Sequence, residues 1–279
     1  FCVILKKGEK YMNSAGLIGF EELPREIRGQ LDGITERWKR QLGARLIGLY
    51  LHGSIALHAF RPESGDLDLV AVVRDSLRTE EKLALARESI ALDGKPCPIE
   101  ISAVTLYNAQ NWKNPGSCVF HYSDFWKEKY LMRFRDPDAE VYIVDHEFPD
   151  PDVTSYIRLI RQCGVVLCGA PIEAVFAPVS DEDFWAAISN EAEAYDFHSY
   201  APRYLASNVL ILGRILSFKM EKKILSKYEA GLWMMRNLPP EFTELIENTM
   251  KIWYEGKTCT LPEKELEKLR LCLIEKIKK

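Results

Sequence analysis

The sequence has 279 residues, of which 47% are hydrophobic and 28% are charged, a composition typical of globular proteins with one large domain or two smaller ones. Its 37 basic and 41 acidic residues give a formal net charge of -4, which argues against a protein that grips a long nucleic acid. No apolar run is long enough to span a bilayer, and the seven cysteines form no C-x-x-C pair. We therefore expect a cytoplasmic protein with reduced thiols and with no nucleic-acid or membrane partner.

The sequence divides into two predicted domains. Residues 12–179 mix strand-like and helix-like segments, whereas residues 180–279 show helical patterns only. Met12, followed by Asn13 and Ser14, resembles a natural start, so residues 1–11 are expected to be an upstream extension. They are left out of the functional interpretation.

The first domain is predicted to combine two helices with three strands. The segment ITERWKRQL places Ile34, Trp38 and Leu42 on one helix face. Apolar, β-branched runs predict strands at 45–51, 67–73 and 98–106, and a second helix is predicted at 79–92. This order indicates an α/β (α+β) domain with a small mixed sheet.

Helices are also predicted in the second half of the chain. One helix is expected from Asp152 through Cys168, followed by a linker at 176–179. Further helices are expected after Ser180, over 203–220, after the capping box that Ser226 opens, and at two later prolines. The second domain is therefore predicted to be an all-α helical bundle.

The sharpest chemical signal lies where one strand ends at Gly53 and Ser54 and the next contains Asp66 and Asp68. Side chains two residues apart on a strand point to the same face, about 7 Å apart along the chain. Such carboxylates can bind Mg²⁺ together with substrate phosphates, and two ions would clamp the attacking and leaving oxygens. Gly53 allows a phosphate to approach the backbone closely, and Ser54 adds a hydroxyl ligand.

A D-x-D pair alone is weak evidence, because two acids can simply lie on an exposed strand face. The flanking segment LVAVV is apolar, so this strand is expected to be buried. Unpaired carboxylates on a buried strand are costly without a cation. The context therefore favours a metal site formed by Asp66 and Asp68.

This pattern resembles the nucleotidyltransferase superfamily that shares the catalytic fold of DNA polymerase β. The superfamily has a Gly-Ser turn, two alternating acids about a dozen residues later, and a third acid on a later strand. Glu100 in the segment IEIS occupies the third position. On its own, Glu100 could equally be a polar residue at a sheet edge. The resemblance implies that it acts as general base on an acceptor hydroxyl.

Longer segments are similar to one family in that superfamily, the streptomycin/spectinomycin-type aminoglycoside adenylyltransferases. The similarity runs from about residue 43 to residue 256, through IGLYLHGSIALHAF, SGDLDLVAVV, PIEISAV, GAPIEAVFAPVSDEDF, YLASNVLILGRI, KKILSKYEAGLWMMRNLP and IWYEG. It implies that the helical domain closes over ATP, with Asn208, Arg214 and Lys227 at the nucleotide and interdomain site. It also implies that Trp126 lies near the active cleft.

The predicted acceptor region departs from the family pattern. Characterised members carry a tryptophan and acidic residues before the asparagine that matches Asn208, whereas this sequence has Tyr195, Tyr200 and Tyr204. We take Tyr204 as the candidate acceptor-binding residue of this stretch. The resemblance therefore implies the same chemistry but leaves the identity of the acceptor open.

Lys227 also has a physical argument of its own. It follows the predicted N-cap Ser226, so its ammonium group lies beside the positive end of a helix dipole. A bound triphosphate would relieve that repulsion. The alternative is a solvated lysine at a helix start, and the corresponding alternative for Arg214 is a structural ion pair.

The implied function is Mg²⁺-dependent transfer of AMP from ATP to a hydroxyl of a small molecule, with release of pyrophosphate. A cationic aminoglycoside or aminocyclitol antibiotic is the favoured acceptor, since it suits an acidic protein. Two alternatives stay open: nucleotidyl transfer to a protein or tRNA, and a non-catalytic nucleotide-binding regulator. The acidic charge argues against RNA, and the three acids argue against a regulator. A monomer or weak homodimer is expected.

Overall fold

A computed structural model describes residues 16–190, 192–195 and 201–279. The expected extension, residues 1–11, and Tyr200 lie outside these ranges. No helix in the described part of the chain is both long enough and apolar enough to cross a bilayer. The strands are β1 (Leu46–Leu51), β2 (Leu67–Val73), β3 (Ile99–Thr105), β4 (Gly116–Cys118), β5 (Phe120–Tyr122), β6 (Phe148–Asp150) and β7 (Val165–Gly169).

Five of these strands form a mixed sheet in the order β5-β3-β2-β1-β7, and β4 pairs with β6 in a separate two-stranded sheet. In the larger sheet β2 and β3 are parallel, and the other pairs are antiparallel. The predicted fold class, an α/β domain with a small mixed sheet, is confirmed. The register of β2 and β3 places Asp68 directly beside Glu100.

The helices of the N-terminal part cover both faces of the sheet. The longest of them, α1 and α3, pack against each other on one face, and α7 packs on the other. The helix predicted at 79–92 has the same bounds in the structure. The helices are α1 (Arg25–Leu42), α2 (Gly53–Ala56), α3 (Thr79–Leu92), α4 (Leu106–Gln110), α5 (Asp124–Arg135), α6 (Tyr142–Asp145), α7 (Asp152–Cys163) and α8 (Ile172–Val175).

The prediction of one helix from Asp152 through Cys168 is wrong. Helix α7 ends at Cys163, where Gly164 adopts an extended backbone with ψ 157°. Residues Val165–Gly169 form β7, which pairs with β1 at the edge of the sheet. Val165 and Val166 favour extended structure, and the free edge of β1 offers them backbone partners that helical spacing could not reveal.

The C-terminal part is all helical, as predicted. Its helices are α9 (Asp181–Ser189), α10 (Pro202–Glu221), α11 (Lys227–Asn237), α12 (Thr243–Glu255) and α13 (Glu263–Lys278). Helix α10 packs against α11, α12 and α13 and forms the centre of the bundle. The Ser226 hydroxyl accepts from the backbone N–H of Glu229 at the start of α11, which confirms the predicted capping box. Short 3-10 helices lie at Phe20–Glu22, Gly43–Arg45, Ala192–Ala194 and Pro240–Phe242.

The hydrophobic core has three clusters. One lies between the sheet and α1, α3 and α5, and a second lies inside the C-terminal bundle. The third joins the other face of the sheet, including Val70 and Val72, to α7 and to Phe184 and Phe218 of the bundle. The boundary at 179/180 stays a prediction, because apolar packing crosses it.

Candidate active site

Three carboxylates meet at the ends of two parallel strands. Asp66 immediately precedes β2, Asp68 lies on β2, and Glu100 lies beside Asp68 on β3. Side chains at alternate positions share one face of a sheet, so these acids lie on the face that carries Val70 and Val72. One oxygen from each carboxylate lies within 4.8 Å of the others. The predicted grouping of the two acids with Glu100 is therefore present.

The turn after β1 packs directly against this acidic group. Gly53 has φ +65°, and its α-carbon faces the Asp68 carboxylate with no room for a side chain. The backbone N–H of Ser54 donates to Asp68. The Ser54 hydroxyl oxygen is buried at the cavity wall and has no hydrogen-bond partner in the described part of the chain. A hydroxyl in that situation is ready to bind an incoming polar ligand.

The acids repel one another in this setting. Burial, together with the charges of Asp66 and Glu100, raises the pKa of Asp68 well above its usual range. Burial and the Asp66 charge raise the pKa of Glu100 to about 7, and a hydrogen bond from Tyr156 acts in the opposite direction. Desolvated like charges of this kind favour binding of a cation. Three carboxylate groups are oxygen ligands that suit a hard divalent ion such as Mg²⁺.

The helical domain supplies positive charge on the opposite side of the cavity. Lys227 is the first residue of α11, and its Nζ atom donates to the Ser207 hydroxyl at 2.9 Å. Arg214 lies on α10, and its Nε atom donates to the Leu225 carbonyl at 2.8 Å. Burial, followed by the charge of Arg214, lowers the pKa of Lys227 to about 8. Two buried cations that repel each other favour an anion between them.

The indole ring of Trp253 contacts two cationic side chains, those of Lys227 and Arg203. The Nζ atom of Lys227 is 3.9 Å from the centre of the Trp253 ring, and the Cζ atom of Arg203 is 4.6 Å from it. Arg203 also donates to the Ser64 carbonyl at 3.0 Å, in the loop that leads to Asp66. The bundle thus holds the loop that carries the first acid.

The acids and the cations line one cavity of about 760 Å³ between the sheet and the bundle. The sequence-predicted residues in its wall are Gly53, Ser54, Asp66, Asp68, Glu100, Tyr195, Tyr204, Arg214 and Lys227. Trp126 lies elsewhere, half-buried against the core beneath the sheet. Asn208 is on α10 but does not line the cavity. Tyr204 is 67% exposed at the rim.

Sequence reasoning missed several wall residues. Tyr156, Asp152 and Asp124 line the cavity from α7 and α5, and Arg203 lines it from α10. Tyr156 contacts Glu100 across 56 positions of the chain, so no local spacing could connect the two residues. The sequence predicts that Asp152 begins a helix, and it does. Its position in the cavity wall depends on how α7 packs against the sheet, which the sequence alone does not show.

Comparison with known proteins agrees with this arrangement. Residues 174–275 match the family model described as aminoglycoside adenylyltransferase, C-terminal domain. An aminoglycoside (3'') (9) adenylyltransferase of Shigella flexneri is 24% identical over 230 residues, which cover 79% of this chain and 83% of that protein. A spectinomycin 9-adenylyltransferase of Campylobacter jejuni is 23% identical over 274 residues, which cover 94% of this chain and 96% of that protein. The chain is thus similar to aminoglycoside adenylyltransferases over most of its length, and its C-terminal part matches the C-terminal domain of that family.

A solved structure also shares the fold of this chain. It is a spectinomycin adenyltransferase from Enterococcus faecialis, crystallised with ATP and spectinomycin. The match has a TM-score of 0.77 at 19% identity and covers 90% of this chain and 99% of that one. The family resemblance and the fold class predicted from the sequence are both confirmed.

Proposed function

We propose that this protein transfers AMP from Mg²⁺-bound ATP to a hydroxyl group of an aminoglycoside or aminocyclitol antibiotic and releases pyrophosphate. The observation that carries the proposal is one cavity in which the cluster of Asp66, Asp68 and Glu100 on the sheet side faces Lys227 and Arg214 on the bundle side. This distribution of charge suits a metal-bound triphosphate and a hydroxyl acceptor. The names of the relatives support the antibiotic as acceptor.

The triphosphate is assigned to the cationic side of the cavity. Lys227 and Arg214 contact its phosphates, and the unpartnered Ser54 hydroxyl donates to a phosphate oxygen. Each contact joins an ionised or hydroxyl donor to a charged oxygen, which gives the stronger class of hydrogen bond. Since Ser54 lies on the sheet side of the cavity and Lys227 on the bundle side, the bound nucleotide contacts both the N-terminal and the helical part of the chain.

Asp66 and Asp68 are the residues that would hold Mg²⁺, and two ions are expected. When bound, the metal neutralises charge on the phosphates and withdraws electrons from the reacting phosphorus. The structural support is the short distance between the carboxylates and the orientation that Gly53 and Ser54 impose on Asp68. Asp66 is held less directly, through the loop that Arg203 contacts.

Glu100 acts as the general base. A carboxylate with a pKa of about 7 is a more effective proton acceptor near neutral pH than an ordinary glutamate. Glu100 takes the proton of the acceptor hydroxyl as its oxygen attacks the α-phosphorus. The bond to the β-phosphate oxygen breaks on the opposite side, and pyrophosphate carries away the electron pair.

The acceptor is assigned to the acidic part of the cavity beside Glu100. Asp152 and Asp124 lie in this wall, and Leu159, Phe184 and Ile188 supply apolar surface next to them. Carboxylates attract the protonated amines of an aminoglycoside, and apolar side chains pack against the carbon faces of its rings. Among the described residues, this acidic wall carries no positive stripe that would suit an RNA acceptor.

The test is a pyrophosphate-release assay with ATP or GTP against streptomycin, spectinomycin, other aminoglycosides and lincosamides. The expected result is acceptor-dependent release with at least one aminoglycoside or aminocyclitol, and mass spectrometry should find that acceptor heavier by one AMP. An Asp68→Asn variant is the control for contaminating activity. Release that needs a protein or tRNA instead would contradict the assignment, and so would ATP binding without release for any acceptor.

A further inference from the structure

Tyr156 is a cavity side chain that the proposed reaction does not use. It lies on α7, and its hydroxyl donates to the Oε1 atom of Glu100 at 3.0 Å. Its ring packs against the buried His52, with 4.8 Å between ring centres and 36° between their planes. The ring is therefore fixed from behind, and its hydroxyl is directed at one oxygen of the base.

The surroundings of Glu100 make this bond significant. Asp66, Asp152 and Asp150 all place negative charge near Glu100 and disfavour its ionised form. In the described part of the chain, Glu100 accepts a side-chain hydrogen bond from the Tyr156 hydroxyl at 3.0 Å, which favours a carboxylate over a neutral acid. Burial and the Glu100 charge raise the pKa of Tyr156 well above its usual range, so its hydroxyl keeps its proton and acts as donor.

We propose that Tyr156 positions Glu100 for proton abstraction, by holding Oε1 in a hydrogen bond and leaving Oε2 for the acceptor's proton. The inference rests on the proposed function, since it concerns the base of that reaction. Tyr156 is a positioning residue: it acts through Glu100, and the proton passes from the acceptor oxygen to Oε2.

A role in packing alone makes a different prediction. Tyr156→Phe keeps the ring against His52 and removes only the hydroxyl. If Tyr156 served packing alone, this change would therefore reduce turnover little. A positioning residue would lose turnover, because a misdirected base reaches the productive geometry less often. Tyr50→Phe is the matched control. Tyr50 is also buried, and its hydroxyl donates to the Ala170 carbonyl at 2.8 Å in another part of the sheet.

The experiment combines Tyr156→Phe with Glu100→Gln in a double-mutant cycle, using an acceptor identified by the assay above. We expect Tyr156→Phe to lower kcat by about 10–150-fold, the range for losing a hydrogen bond to a charged group, and to leave the KM for ATP within about two-fold. In the Glu100→Gln background the same change should alter kcat less than about three-fold. Tyr50→Phe should lower the melting temperature about as much as Tyr156→Phe does, but it should leave kcat unchanged.

Three results would overturn the inference: unchanged kcat in Tyr156→Phe, an equal loss in both backgrounds, or a loss that lies wholly in ATP affinity. A crystal structure of Tyr156→Phe is a readout that does not depend on turnover. The Glu100 side chain should leave its wild-type orientation there, and an unmoved carboxylate would also overturn the inference. A wild-type protein that transfers AMP to no acceptor would contradict the proposed function instead.

Discussion

The carboxylate of Asp68 occupies the space that a side chain at Gly53 would need. A Cβ atom built on Gly53 would lie 1.7 Å from the Oδ2 atom of Asp68, and the φ angle of Gly53 is +65°. Both the close approach and the left-handed backbone require glycine. The turn after β1 and the acid on β2 therefore form one steric unit.

The first prediction tests that unit with two glycines. Gly43→Ala carries the cost of a positive φ alone, because Gly43 has φ +52° and nothing within 4 Å of a built Cβ. It should lose about 1–3 kcal/mol of stability, because a side chain is strained at φ +52° and ψ -129°, and it should keep its turnover. Gly53→Ala should be less stable and should lose roughly 100-fold or more in transfer, since it displaces Asp68. Urea unfolding measures the stability of each variant, and pyrophosphate release measures its turnover. An active Gly53→Ala variant would refute the steric argument.

A second prediction concerns charge at Asp68. Asp68→Asn should abolish pyrophosphate release, because it removes one ionised ligand of the proposed metal site. Its melting temperature should stay the same or rise, since the change keeps the side-chain volume and removes a partly buried charge beside Asp66 and Glu100. Parallel thermal unfolding and activity assays decide the matter. Full activity would show that Asp68 is not a metal ligand.

Lys227 provides a third prediction. Lys227→Ala should weaken ATP binding by about 10–150-fold, because a charged contact to a desolvated phosphate is lost. Stability should change little, since the lysine is poorly solvated beside Arg214 in the empty protein. Lys251→Ala, on the neighbouring helix α12, is the control for a general loss of positive charge. Calorimetry that finds the same dissociation constant in Lys227→Ala and the wild type would place the phosphates elsewhere.

The indole of Trp253 gives a fourth prediction. Because it contacts both Lys227 and Arg203, Trp253→Leu should let both cations move away from the nucleotide site. ATP affinity should fall by about 3–30-fold, the range for a cation–π contact that is partly desolvated. Trp253→Phe keeps an aromatic face and should lose less. Equal losses in the two variants, measured by calorimetry, would show that packing and not the aromatic face matters.

A fifth prediction concerns acid stability. Burial holds the pKa of His52 down to about 3 and that of His121 to about 4. The unfolded chain binds protons at these residues near the ordinary value of about 6.5, so the free energy of unfolding falls as pH drops below that value. His121→Gln should reduce the slope between roughly pH 5.5 and 4.5 by up to ~1.4 kcal/mol per pH unit.

Urea titrations of both proteins across this range measure that slope. The same comparison at pH 8, where His121 is neutral in both the folded and the unfolded chain, gives the effect on stability of losing the imidazole itself. The Ser102 hydroxyl lies 2.8 Å from the Nδ1 atom of His121, and a glutamine can replace that contact. An unchanged slope would mean that His121 is protonated equally in the folded and unfolded chain.

Much of the acidic side of the site could be predicted from the sequence. Asp68 and Glu100 lie on strands that local patterns identify, and Asp66 immediately precedes one of them. Alternation along the chain predicts that the three side chains share one face. The capping box at Ser226 likewise places Lys227 at a helix start. Such features depend on short-range backbone geometry, which a single sequence carries.

The remaining features depend on long-range packing. The contact of Tyr156 with Glu100 and that of Arg203 with Ser64 join residues 56 and 139 positions apart. Strand β7 was predicted as helix because the edge of β1, which stabilises it, is far away in the chain. Trp126 matched a family motif by position, yet the structure places it half-buried against the core and not in the cavity wall.

The third hydrophobic cluster limits how this protein could be recombined with its relatives. Phe184 and Phe218 form an edge-to-face pair, with ring centres 4.7 Å apart, and belong to the cluster that covers Val70 and Val72 of β2. A chimera joined in the linker would bring a foreign helical half against this surface, and at about 24% identity its side chains would not match. We therefore expect such a chimera to be less stable than either parent.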